Sequence, residues 1–236
     1  MGEERKNGNT VLLTVIGVAT LLVALVGATF AYFTATVSQN TANGTVDVTT
    51  STLAALEMTS YKQDARVSNA VYPGWAGYQA IQVKATGNAG DKANYTLTLD
   101  PTVASEFNED IKYSICKVDD TTTAINESGL ATTFNYAPGT VSTQGSTTTE
   151  THYWIDGATA TLPASGCTAI GSANSTLSNS DIDVASNKEI VVAGTGTYDI
   201  YYIVYKYTNN TEAAQAAQNK QFTVEPKFVV NATQNN

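Results

Sequence analysis

The sequence predicts an all-β domain carried behind a long apolar N-terminal segment. Charged residues make up only 14% of the 236-residue chain. Thr, Ser, Asn, Ala and Val fill the remainder, a mix suited to pleated surfaces, where β-branched side chains pack well. Short apolar runs alternate with period two and are punctuated by glycine-bearing turns. Residues 11–33 (VLLTVIGVATLLVALVGATFAYF) form a long apolar run, and no Asp, Glu, Lys or Arg occurs from Asn7 through Val46.

About twenty apolar residues suffice to cross a bilayer as a helix. The run fits either a cleaved secretory signal or a retained anchor. Small residues flank a cut after Ala31 in Thr29-Phe30-Ala31, which would leave Tyr32 as the new N-terminus, and Val26-Gly27-Ala28 also meets the small-x-small rule. The length of the run keeps the anchor open. Glu3 and Glu4 offset Arg5 and Lys6, and the next charge is Asp47, so the Lys/Arg bias holds the leader inside. No LPxTG-like sorting segment follows. Residues 32–236 are therefore expected outside the membrane, as one domain or one domain with a large insertion.

The strands follow in order. Residues 79–85 and the alternation Tyr95-Leu97-Leu99 flank the turn 87–91 and are expected to pair as a hairpin. Ile111, Tyr113 and Ile115 alternate in the next strand. Residues 119–187 differ in texture, rich in Thr, Ser, Gly and Ala, and are expected to leave the domain as an insertion. Only HYWID (152–156) and TATLPA (159–164) look like strands there. Residues 188–193 and 197–207 follow, separated by Gly194-Thr195-Gly196. The 197–207 run is apolar on both faces, so it fits a central strand with core on one side and a covered face on the other, or a surface tyrosine ladder. Residues 212–218 have high helix propensity behind a possible Asn-Asn-Thr cap and give one short helix near the C-terminus. The last strand, 222–232, contains Pro226, which implies an edge, a bulge or a bend.

The net charge of -9 argues against nucleic acid and anionic membrane surfaces as partners. Cys116 and Cys167 are an even pair, expected to form one disulfide in an oxidising compartment, with two buried thiols as the alternative. Catalytic chemistry has little to draw on. His152 is the single histidine, no HExxH or GxSxG occurs, and no glycine-rich phosphate loop follows a strand. Asp181 and Asp183 offer carboxylates to calcium, but an exposed acidic turn is much the better reading of them. Asn-x-Ser/Thr triplets begin at Asn43, Asn94, Asn126, Asn174, Asn209 and Asn231, as chance provides in so Asn- and Thr-rich a chain. No catalytic residue, metal site or cofactor is expected.

The junction LVALVGATFAYFTATVSQNTANGTVDV resembles the start of the TasA/camelysin family of bacterial matrix proteins. The matching pieces are Thr29-Phe30-Ala31, Tyr32-Phe33-Thr34 and Gly44-Thr45-Val46-Asp47-Val48. Tyr72-Pro73-Gly74, the stretch IQVKATGNAGDKANYTLTL and the closing QNKQFTVEPKFVVNATQ extend the resemblance, whereas 119–187 has no match. The resemblance implies a jelly-roll-like antiparallel β-sandwich, export with cleavage between Ala31 and Tyr32 by a dedicated signal peptidase, and release from the membrane to the bacterial cell surface or beyond. It further implies head-to-tail self-assembly into filaments or biofilm matrix. There Tyr32, Phe33, Thr34, Ala35, Thr36 and Val37 form a donor strand that completes a neighbour's sheet. A membrane-anchored surface or adhesion module that does not polymerise is the alternative. Camelysin-type members have also been classed as metallopeptidases, but no zinc motif here matches that label. A type IV pilin leader, with Gly-Phe at the cut and Glu five residues on, is missing.

Overall fold

The computed structural model describes residues 35–38, 43–48, 54–63, 71–107, 109–144, 152–209 and 220–231. The chain divides into two compact units, Met1–Ala35 and Thr36–Asn236, and nearly all described residues belong to the second. The apolar 11–33 run and the helix expected over 212–218 lie outside the described residues. Among those described, no helix is long and apolar enough to cross a membrane.

The fold is an all-β sandwich. One sheet has four strands in the order β1 (Ala35–Ser38), β12 (Phe222–Asn231), β5 (Lys92–Val103) and β10 (Ile182–Val191). The other has six, in the order β2 (Asn43–Val48), β3 (Ala55–Lys62), β4 (Ala76–Thr86), β11 (Thr197–Tyr207), β6 (Ile111–Thr121) and β9 (Thr168–Thr176). The described pairings within the sheets are antiparallel. Alternation sets the inner faces. Tyr95, Leu97 and Leu99 of β5, and Phe222, Val224, Phe228 and Val230 of β12, meet Leu56, Met58, Ile81, Val83, Ile115 and Ile203 of the larger sheet in one core.

Residues 79–85 and 95–99 are strands, but they are not hairpin partners. β4 pairs with β3 and β11, whereas β5 pairs with β10 and β12. The glycine turn between them arches from one sheet to the other. Alternation reports that one face is apolar and leaves the partner open, and a short loop can bridge two sheets about 10 Å apart. A second arch, 193–196, runs beside the first, with the Gly90 N–H donating to the Val192 carbonyl at 2.9 Å and the Val192 N–H to the Asp91 carbonyl at 2.8 Å.

β11 lies between β4 and β6, and it has core on one face and a cover on the other. Tyr201, Ile203, Tyr205 and Tyr207 point into the main core. On the opposite face Tyr202 and Val204 join Tyr78 and Ala80 of β4 beneath Leu130, Phe134 and Ala160. The cover is an excursion between β6 and β9. It holds a one-turn helix, α1 (Leu130–Thr133), and a paired strand couple, β7 (Thr140–Gln144) and β8 (His152–Asp156). HYWID is thus a strand. Residues 159–164 contribute only an isolated bridge, Thr159 to Ala137.

Part of the 119–187 stretch belongs to the sandwich itself, because β9 and most of β10 lie inside it. β9 is largely exposed and rich in Thr and Ser, and β10 has only two buried residues, so both carry little alternation to read. β12 keeps an unbroken one-to-one register with β5 through Pro226, which stands opposite Leu99. No bulge forms there, and the short β1 flanks β12 on its other side.

Candidate functional site

Two places carry the chemistry that the sequence and the fold single out: a sheet edge and a polar cluster in the core.

At the edge, Ala35, Thr36 and Val37 lie in β1, next to β12. Ala31, Tyr32, Phe33 and Thr34 lie outside the described residues. β12 has ten residues and β1 has four. An edge strand presents a row of main-chain N–H and C=O groups, and such rows accept added strands.

Cys116 and Cys167 form a disulfide with a Cα–Cα distance of 5.5 Å. It joins β6 to the end of the excursion, immediately before β9. The bridge therefore fixes where the cover returns to the sheet. Pro73 and Gly74 anchor its middle. The Trp75 N–H donates to the Tyr72 carbonyl at 3.1 Å, and Gly74 has φ +84°, the arrangement of a type II turn with proline first. The Ile155 N–H of β8 donates to the Pro73 carbonyl at 2.8 Å.

The core cluster was not singled out from the sequence. Lys117 of β6 and Asp199 of β11 are both buried, with Nζ 3.2 Å from Oδ2. The Tyr95 hydroxyl, reaching across from β5, donates to Asp199 Oδ2 at 2.5 Å and lies 2.6 Å from the Tyr201 hydroxyl. Lys117 Nζ sits 5.4 Å from the centre of the Tyr201 ring. Burial, followed by the neighbouring Tyr201 and Asp199, pushes the Tyr95 phenol far above its ordinary range. Taking two charges out of water costs several kcal/mol per ion, which their attraction offsets only with close geometry and further hydrogen bonds. Two signals were present in the sequence. Asp199 interrupts an apolar strand, and Lys117 continues the Ile111, Tyr113, Ile115 alternation with a charge.

A second buried network links β11 to β4 and β3. The Tyr205 hydroxyl donates to Gln79 Oε1 at 2.8 Å, and Gln79 Nε2 donates to Ser60 Oγ at 3.0 Å. Asp181 and Asp183 are exposed, and Asp181 Oδ1 already has Lys227 Nζ at 3.5 Å. Among the described residues no group of three or more His, Cys, Asp or Glu is placed to hold a metal ion. No family model matches the chain, and neither does any curated protein sequence.

Proposed function

We propose that the chain is an exported structural protein, a subunit of extracellular filaments or biofilm matrix assembled by donor-strand exchange, as in the TasA/camelysin family that it resembles. The observation that carries this is the place of β1, whose residues Ala35, Thr36 and Val37 come from the donor segment, beside β12 at the edge of the smaller sheet. The winding of the sandwich supports it. β6 pairs with β9, and on either side of that pair the chain crosses between sheets in step, bringing β5 beside β10 and β4 beside β11. That order supports a jelly-roll-like reading of the sandwich. Residues 32–37 are uncharged. Freed by cleavage after Ala31, they would add to the β12 edge of the next subunit through main-chain hydrogen bonds. A head-to-tail contact that does not close yields an open filament.

A second function is favoured by one observation: β1 lies in the sheet of its own chain. A subunit that fills its own edge suits an anchored surface module that stays monomeric. Sequencing the mature N-terminus and imaging the purified protein by electron microscopy separate the two. Tyr32 at the N-terminus, with filaments that disappear when residues 32–37 are deleted, supports assembly. A retained 11–33 segment and monomers at high concentration overturn it.

A further inference from the structure

We propose that Lys117 and Asp199 become joined by an intramolecular isopeptide bond, so that the core of the sandwich is a site of self-catalysed covalent modification. Among the described residues these are the two charged side chains that are buried. They lie on neighbouring strands, on the face turned to the core, with the amine nitrogen 3.2 Å from a carboxylate oxygen. The ladder between β6 and β11 shifts register between Tyr198 and Ile200, with the extra residue on β6, while β11 keeps an unbroken register with β4 through Asp199. Lys117 stands opposite Tyr201 in this ladder, so Asp199, two residues before Tyr201, is its diagonal neighbour on the same face.

The surroundings suit amide formation. In bulk water an amine and a carboxylic acid ionise, and the ions do not react. The step begins with transfer of one proton from the ammonium to the carboxylate, which leaves a neutral amine beside a neutral acid. Two groups held in contact react as a unimolecular pair. The Lys117 nitrogen attacks Cγ of Asp199, and the Tyr95 hydroxyl, 2.5 Å from Oδ2, donates to the negative oxygen that develops. The C–N bond forms, one C–O bond breaks, and the departing hydroxyl leaves with an amine proton as one water. No oxidant or reductant is needed. The product replaces two buried charges with a neutral amide, which removes the cost of keeping ions in the core.

The bond would stitch β6 to β11, neighbouring strands of the larger sheet. It is independent of whether the protein forms filaments, since a monomeric surface module would carry it equally. The test is the intact mass of the full chain after denaturation and reduction. The expected mass is one water below that of the sequence, with a proteolytic fragment in which the Lys117 side chain is linked to that of Asp199. Lys117→Arg is expected to restore the missing water, and Tyr95→Phe to leave a measurable fraction of unlinked chain. A wild-type mass equal to the reduced sequence overturns the proposal. So does a water loss that maps to a linear peptide, such as a ring closure at Asp156-Gly157. Full linkage in Tyr95→Phe overturns the role given to Tyr95. The wild-type measurement decides the main point even if no variant folds.

Discussion

The ring of Phe134 stacks on that of Tyr78, with centroids 4.4 Å apart and planes 13° from parallel. Tyr202 meets the same ring edge-on at 5.2 Å. Phe134, which follows α1, is the residue through which the excursion seals the outer face of β4 and β11. Phe134→Ala is expected to destabilise the protein by about 3–5 kcal/mol, the range for truncating a fully buried phenylalanine. Urea unfolding of the full chain measures it. A loss under about 1 kcal/mol would show that the excursion is not seated on the sheet.

Reduction of Cys116–Cys167 frees a long segment, since the two residues are 51 apart in sequence. In the chain-entropy account a loop of that size corresponds to about 4 kcal/mol. The Cys116→Ser/Cys167→Ser variant should therefore unfold at a clearly lower denaturant concentration. Hydrogen exchange should show β7 and β8 losing protection before β5 and β12, which lie outside the bridged loop. Equal loss across all four strands would count against this order.

Gly74 and Gly90 form a matched pair of tests. Both have positive φ, +84° and +91°. A Cβ on Gly74 would run into the carbonyl oxygen of Ile155, whereas one on Gly90 would meet nothing within 4 Å. Gly90→Ala should cost about 1–2 kcal/mol, the left-handed penalty alone. Gly74→Ala should cost more, because backbone must move against backbone where β8 docks. Equal losses in thermal unfolding would disprove the close approach.

Alkaline pH should unfold the protein cooperatively. Burial raises the phenols of Tyr95, Tyr205 and Tyr207 well above their ordinary value of 10.0, and Tyr61 and Tyr202 move the same way. The unfolded chain then loses protons that the folded chain retains, so this stabilisation is complete below pH 10.0 and falls as pH rises beyond it. Lys62 acts in the opposite sense, because burial lowers its pKa and disfavours its charged form in the fold. Tyrosinate absorbance and circular dichroism, followed together, should change in one step above pH 10.0. Smooth absorbance growth with intact sheet signal would contradict the burial of these hydroxyls.

The strands that line the core were legible because their faces are chemically distinct. Tyr95-Leu97-Leu99 and the 222–230 alternation each place apolar groups on a single side, and the doubly apolar 197–207 run fits a strand covered on both faces. Strand pairing was less legible, since the 87–91 turn has the residues of a hairpin and the geometry of an arch. β9 escaped notice because residues such as Thr168, Ser172 and Asn174 face solvent and need no alternation. The Lys117–Asp199 contact depends on the pairing of β6 with β11 and on a hydroxyl from the opposite sheet, and neither has a local signature. Of the candidate edge, the sequence supplied the strand-prone segment, and only the fold supplied its neighbour, β12.

Cys116 and Lys117 are adjacent, so their side chains leave β6 on opposite faces. The sulfur serves the covered side and the ammonium the core. A slip of β6 by one residue would exchange them, placing the ammonium under the excursion and the sulfur beside Asp199, and neither would then reach its partner. These two neighbours therefore act as a register lock, and a chain that closes both contacts has one way to lay β6 between β11 and β9.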